Sequence, residues 1–485
     1  MPSPTFKNRY LRLPEHFYRL TTPEPLIDGQ LIHRNQTLMN EYAITFSDAT
    51  LLKMTTGIDF PEGITPLAQK YTGHQFGYYN PELGDGRGLL LGQIKDSQHQ
   101  IWDLHLKGSG QTPFSRRGDG RAVLRSAVRE YIIGEALHGL GIPSSRCLSL
   151  CHSPEPVRRE QIEDRASYIR VAKTHIRFGH FEWLAQLGNP EDFKHLANYV
   201  IETIYPELNH LPTETRYSEL LNKIFSRTAA LMASWQASGF CHGVMNTDNM
   251  SVAGETFDFG PYAFLDDCKI HYICNHSDTE GRYAYSQQPN IGLWNCQVLG
   301  QAFSMILNPD EIDAALTLYV ETYNQDYLQK MSAKLGWQNP QVEDKQLIAD
   351  TLILMDQSEL DFHYFFQLLA HFGTEQHEQF TNYLPKSKAW SSWMELYQKR
   401  IALNDEDSVH IKLIQNNTPR LILRNYIAQE IIHAAEQQSY TPLKQWMEWL
   451  QTPYELPDIF STPDYQHYLL PPKQQSKNIV LSCSS

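Results

Sequence analysis

The segment from His242 to Gly260, HGVMNTDNMSVAGETFDFG, constrains this chain more than any other. It sets Asp248 beside Asn249 and places Asp258 nine residues beyond Asn249, in the tripeptide Asp258-Phe259-Gly260. A stretch containing Gly254 separates the two, which suits a short hairpin bringing an amide oxygen and a carboxylate to one cation. Mg²⁺ takes a few hard protein oxygens and fills its remaining positions with phosphate and water, so the Asn249/Asp258 pair is chemically sensible. The competing reading is a turn Asn and a strand-end Asp juxtaposed by chance, because Asp-Phe-Gly alone is a weak signal.

Protein kinases hold Mg²⁺ with an Asp-Phe-Gly aspartate and a catalytic-loop asparagine. They place the Asp that receives the substrate's hydroxyl proton five residues before that asparagine. Counting back from Asn249, that position is Val244. A valine accepts neither a proton nor a hydrogen bond, so the chain is either a dead kinase or an enzyme that uses ATP differently.

The rest of an ATP grip lies upstream in kinase order. Lys107 ends a strand candidate, WDLHLK, and Glu130 follows 23 residues later on the inner face of a helix candidate. Kinases orient the phosphate-binding lysine with such a pair. A Glu on an apolar face needs a partner, whereas a Glu turned to solvent would not. The turn LGDGRG supplies Gly84, Gly86 and Arg87, whose backbone could approach phosphates; a second GDGR supplies Asp119 and Gly120. Either could be only a tight turn, and no G-x-x-x-x-G-K-[ST] is present. Arg170 and Arg177 flank VAKTHI and offer rigid bidentate donors for phosphate, or partners for a structural carboxylate.

The formal charge of −14 makes broad attraction to nucleic acid or anionic membrane unfavourable, so a bound polyanion must rely on locally gathered Arg and Lys. No apolar run is long enough to span a membrane, and the N-terminus reads as lacking a secretion signal. The seven cysteines form no C-x-x-C pair. A reducing, cytoplasmic setting is the expectation.

The pattern predicts adjacent strands over GRGLLLGQI and QIWDLHLKG, a helix over 120–140 with Val123, Ala127, Glu130, Gly134 and Leu137 on one face, and a strand at 167–172. Helices are expected over 192–240, loops and short strands over 241–298, and mostly helices over 310–452.

Together YTGHQFG, LGDGRG, HLKGSGQTPFSRRGDGRAVLRS, HIRFGHFE, HGVMNTDNM, DFGPYAFLDD and NHSDTEGRYAY resemble the selenoprotein O family of protein adenylyltransferases. The resemblance runs over essentially the whole chain. It implies an α+β, protein-kinase-like two-lobed fold: an N-terminal extension (1–60), an N-lobe with nucleotide-binding elements (61–180), a C-lobe with the metal and catalytic loop (181–309), and a helical C-terminal region with a redox-active tail (310–485). It implies ATP bound in a flipped orientation and AMP, in some members UMP, transferred to Ser, Thr or Tyr hydroxyls of target proteins. ATP or UTP is then the substrate and Mg²⁺ or Mn²⁺ the cofactor, with redox proteins such as glutaredoxin among the targets and neither nucleic acid nor membrane as a partner.

Carried over by motif, Gly84, Gly86, Arg87, Lys107, Asp119, Gly120, Arg170, Arg177 and Asp258 bind nucleotide, and Glu130 orients Lys107. Asn249 and Asp258 hold the metal, and Asp248 is the general base. With an ordinary Asp pKa near 3.9, Asp248 would mainly orient the hydroxyl. The alternatives are an ATP-dependent kinase and a non-catalytic ATP-binding pseudokinase scaffold. Cys483 stands where some members of the family carry selenocysteine, and a regulatory disulfide with Cys274 is expected, Cys268 being the weaker partner.

Overall fold

A computed structural model describes residues 6–406, 408–477 and 479–481. The chain is mixed α/β, built on one eight-stranded sheet. Its order runs β1 (Tyr18–Leu20), β3 (Leu67–Gln69), β6 (Gly88–Lys95), β7 (Ile101–Lys107), β10 (Ile162–Ala172), β9 (Arg146–Arg158) and β2 (Gln30–Arg34), with β8 (Ala122–Val123) paired to β10. Neighbouring strands in this order are antiparallel throughout. Residues before position 61 thus supply strands at both ends of the sheet.

Strand alternation explains how a buried sheet can carry polar chemistry. On β7 and β10, Leu104, Leu106, Ile169 and Val171 face a cluster with Leu38, Met54 and Leu91. The intervening residues take the opposite face: Asp103, His105 and Lys107 on β7, Tyr168 and Arg170 on β10. Register sets Lys107 opposite Tyr168 and His105 opposite Arg170.

The helix Leu124–Gly139 follows β8 and packs Ala127, Val128, Tyr131 and Ile132 into the main core. It also buries two acids, and each finds a cation. Arg146 Nε and Nη2 donate to Glu135 at 2.7 and 2.8 Å, and Lys107 pairs with Glu130. The expected helix at 120–140 therefore begins four residues later, because Ala122 and Val123 extend the sheet.

The helices Pro190–Ile204 and Thr213–Ala237 fill the predicted helical stretch. After them, β11 (Phe240–Cys241) pairs with β12 (Ala263–Phe264) and closes the base of the loop 242–262. That loop presents Asp248, Asn249 and Asp258. The stretch between the last two is not a hairpin: Ser251 bridges Arg177 and Thr256 bridges Ser144, so it pairs with other parts of the chain. Helix Gln288–Phe303 begins inside the region expected as loops and short strands. Beyond it the chain is helical to Trp449, with an aromatic core of Phe365, Trp390, Trp393 and Tyr397. No helix among the described residues is long and apolar enough to cross a membrane.

Candidate active site

Asp258 is the hub of the site. Its Oδ1 accepts from Lys107 Nζ at 3.0 Å and Arg170 Nη1 at 2.7 Å, and its Oδ2 accepts from Arg177 Nη1. Lys107 Nζ also donates to Glu130 Oε2 at 2.6 Å, and Arg170 Nη1 reaches Glu130 Oε1 at 3.1 Å. Two carboxylates thus serve three cations. Burial alone would push the Asp258 carboxyl up, but Arg177, Arg170 and Lys107 hold it well below the usual range. The backbone at Asp258 is left-handed, with φ 59°; an Asp tolerates this better than most residues.

These groups open onto a cleft of about 680 Å³. All of the expected nucleotide and metal residues line it: Gly84, Gly86 and Arg87; Lys107, Asp119 and Gly120; Arg170 and Arg177; Asp248, Asn249 and Asp258. Glu130 stands behind Lys107. Nine Lys and Arg side chains line this cleft against four carboxylates, the local gathering that a chain of charge −14 requires to hold a polyanion. Arg170 Nη2 and Arg177 Nε are buried without a hydrogen-bond partner among the described residues.

Asp248 lines the same cleft. Arg177 Nη1 donates to its backbone carbonyl at 2.7 Å, and Gln75 Nε2 donates to its Oδ2 at 3.1 Å. Its Oδ1 is buried and has no hydrogen-bond partner among the described residues. Burial, only partly offset by Arg177 and Gln75, pushes its carboxyl up to about 6. The expectation of an ordinary Asp is therefore corrected. Asn249 donates Nδ2 to the Val244 carbonyl at 3.0 Å, so its oxygen is the end left for a ligand.

The two glycine turns that line the cleft also have close protein neighbours. A Cβ on Gly84 would lie 2.6 Å from the Phe114 ring, so the close neighbour that demands glycine there is protein. Asp119 forms a two-pronged pair with Arg159 at 2.7 and 3.0 Å and accepts the Arg121 N–H. It sits in a separate ionic group within the same cleft and is not bonded to Asp258.

Several further residues contribute to the site. Asp85 lies within LGDGRG; it is buried, 3.3 Å from His105 Nε2 and 3.8 Å from Arg177. His175 accepts from Arg170 Nε at 3.1 Å, stacks on His105, and lies 3.3 Å from Asp103. The Arg-dense run SRRGDGR was the available signal for the cationic mouth, which Arg116 and Arg117 extend. Gln75 lies in YTGHQFG, but nothing in that run pointed to Asp248.

Cys274 is buried, and burial pushes its thiol well up. Cys483 lies outside the described residues. The tail nevertheless returns to this region: the His276 N–H donates to the Leu481 carbonyl at 2.7 Å, and Lys477 pairs with Asp267 at 2.6 Å.

Comparison with known proteins gives a consistent result. The family described as protein adenylyltransferase SelO matches residues 2–451. A protein nucleotidyltransferase YdiU from Hydrogenovibrio crunogenus is 51% identical, with 99% of this chain and 100% of that protein covered. Proteins of the same description from Vibrio vulnificus and Myxococcus xanthus are each 41% identical, covering 99% of this chain and 98% of theirs.

Proposed function

The chain belongs to the protein adenylyltransferase SelO family and is a protein nucleotidyltransferase; we propose that it moves AMP from ATP, or UMP from UTP, onto Ser, Thr or Tyr hydroxyls of target proteins. Pyrophosphate leaves. We read the sheet and the helices after it as the two lobes of a protein-kinase-like fold, divided near residue 180, with the nucleotide flipped relative to kinases. The observation that carries this reading is Asp248 Oδ1, a buried carboxylate oxygen with no partner, in the same cleft as the cations around Asp258. Val244, where a kinase keeps its proton acceptor, has only hydrocarbon to offer.

In this mechanism Arg87, Lys107, Arg170 and Arg177 bind the phosphates, and Glu130 keeps Lys107 aimed at them. The unpartnered Arg170 Nη2 and Arg177 Nε are donors held ready for phosphate oxygens. Preorganised cations of this kind stabilise charge as it develops, without reorganising during the reaction. Asp248 accepts the hydroxyl hydrogen and orients the attacking oxygen towards the α-phosphorus.

The donor set fits Mg²⁺ or Mn²⁺: the Asn249 amide oxygen and the Asp258 carboxylate are hard ligands, with the nucleotide's phosphates to complete the shell. A bound cation of this type supplies charge neutralisation on the phosphates. Asp258 already accepts from three cationic side chains, so phosphates that draw these away would free its oxygens for metal.

Redox control through Cys274 and Cys483 belongs to the same proposal. The contact between Leu481 and His276 supports it, because it brings the tail within two residues of Cys274.

Asp248→Asn tests the assignment. Transfer of labelled nucleotide to a protein acceptor should fall at least 100-fold with ATP affinity within about twofold of wild type. A rate within threefold of wild type would refute the role given to Asp248.

A further inference from the structure

Between β3 and β6 the chain forms a small hairpin, β4 (Gly73–Gln75) and β5 (Tyr78–Asn80), outside the main sheet. It docks on the catalytic loop by several bonds. The His74 N–H donates to Thr247 Oγ1 at 2.7 Å, and the Phe76 N–H donates to Asn246 Oδ1 at 3.1 Å and to Tyr283 Oη at 2.9 Å. Tyr283 Oη donates in turn to Asn246 Oδ1 at 2.6 Å. The approach is close enough that a Cβ on Gly73, where φ is +156°, would stand 2.8 Å from Thr247 Oγ1 and 3.2 Å from the Asp248 nitrogen.

The side chain at the centre of this contact is Gln75. Its Nε2 donates to Asp248 Oδ2 at 3.1 Å, and its Oε1 accepts from Asn80 Nδ2, also at 3.1 Å, across the hairpin. Because Asn80 can only donate through that nitrogen, it fixes which end of the Gln75 amide faces Asp248. Gln75 then occupies one carboxylate oxygen and leaves the other, Oδ1, buried and unpartnered. An amide at this point holds the carboxylate without protonating it and without adding charge.

We propose that Gln75, oriented by Asn80, is a positioning residue that presents Asp248 Oδ1 to the substrate hydroxyl. The inference rests on Asp248 being the group that receives the hydroxyl hydrogen. Two attachments fix the aspartate, Arg177 on its backbone carbonyl and Gln75 on its side chain. Losing the second frees rotation about the side chain but leaves the phosphate-binding cations untouched. The defect therefore belongs in turnover, and nucleotide binding should not change. Small losses of alignment at a reacting group carry large rate penalties.

The test is a double-mutant cycle on the full-length chain, with labelled ATP and one protein acceptor. Gln75→Met keeps bulk and length but removes the amide. Alone it should lower kcat about tenfold or more, with KM for ATP within twofold of wild type. Asn80→Ala, which leaves Gln75 in place but unoriented, should lower kcat about threefold. In an Asp248→Asn background, Gln75→Met should have almost no further effect, because the group it positions is gone. The proposal is overturned if Gln75→Met costs the same factor in both backgrounds, or if it raises KM for ATP and leaves kcat unchanged. If Asp248→Asn alone retains near wild-type turnover, it is the role of Asp248 that fails, a result distinct from either of those.

Discussion

Lys107 and Glu130 form a 2.6 Å ion pair in which both side chains are almost completely buried, at 7% and 3% exposure. Burial alone would pull the lysine's pKa down, and Glu130 and Asp258 oppose that pull. The lysine's pKa stays below its usual value, and the pair limits how far burial lowers it.

Replacing Glu130 with Gln leaves Lys107 and Arg170 sharing Asp258 alone. Breaking a buried pair from one side is strongly destabilising, and we expect about 3 kcal/mol off the unfolding free energy. Transfer activity should fall at least tenfold as Lys107 loses its aim. Denaturant unfolding and steady-state transfer measure the two effects; an unchanged stability would mean that the pair is replaced rather than lost.

Lys334 has no ion-pair partner among the described residues and lies buried over the Phe366 and Phe362 rings, at 5.0 and 5.8 Å. Burial lowers its pKa from 10.5 to about 7. Between pH 7 and 10.5 the unfolded chain binds a proton that the folded one does not. Stability from this group therefore rises with pH across that window and is lowest below pH 7, by an amount on the order of 5 kcal/mol. Lys334→Met should raise the unfolding midpoint at pH 7 and remove that slope, as thermal melts at pH 7 and 9.5 would record. A variant less stable than wild type at pH 7 would contradict the assignment.

Mild oxidation should cross-link Cys483 to Cys274, the contact of Leu481 with His276 having already brought the tail to that segment. Non-reducing peptide mapping reads the result directly. Mapping that finds no cross-link at Cys483 would rule out the redox switch.

The parts of this site legible in the sequence are those with local signatures. Lys107 and Arg170 could be placed because strand alternation fixes the face on which each side chain lies. Glu130 could be placed because a charge on an apolar helix stripe demands a partner. Asn249 and Asp258 were readable from spacing, although the connection between them takes its pairing from Arg177 and Ser144 instead of from itself. The contacts that stayed hidden are long-range ones: Gln75 meets Asp248 across 173 residues, and His175 meets Asp103 across 72. No periodicity records such meetings. The raised pKa of Asp248 was hidden for the same reason, since burial comes from distant parts of the chain.

The most direct measurement gives the protein ATP labelled at either the α or the γ phosphate, together with an acceptor protein, and follows label into the protein. The α label alone should be transferred, with the γ label appearing in pyrophosphate. Transfer of the γ label would make this chain a kinase despite Val244, and would contradict the role assigned to the cleft.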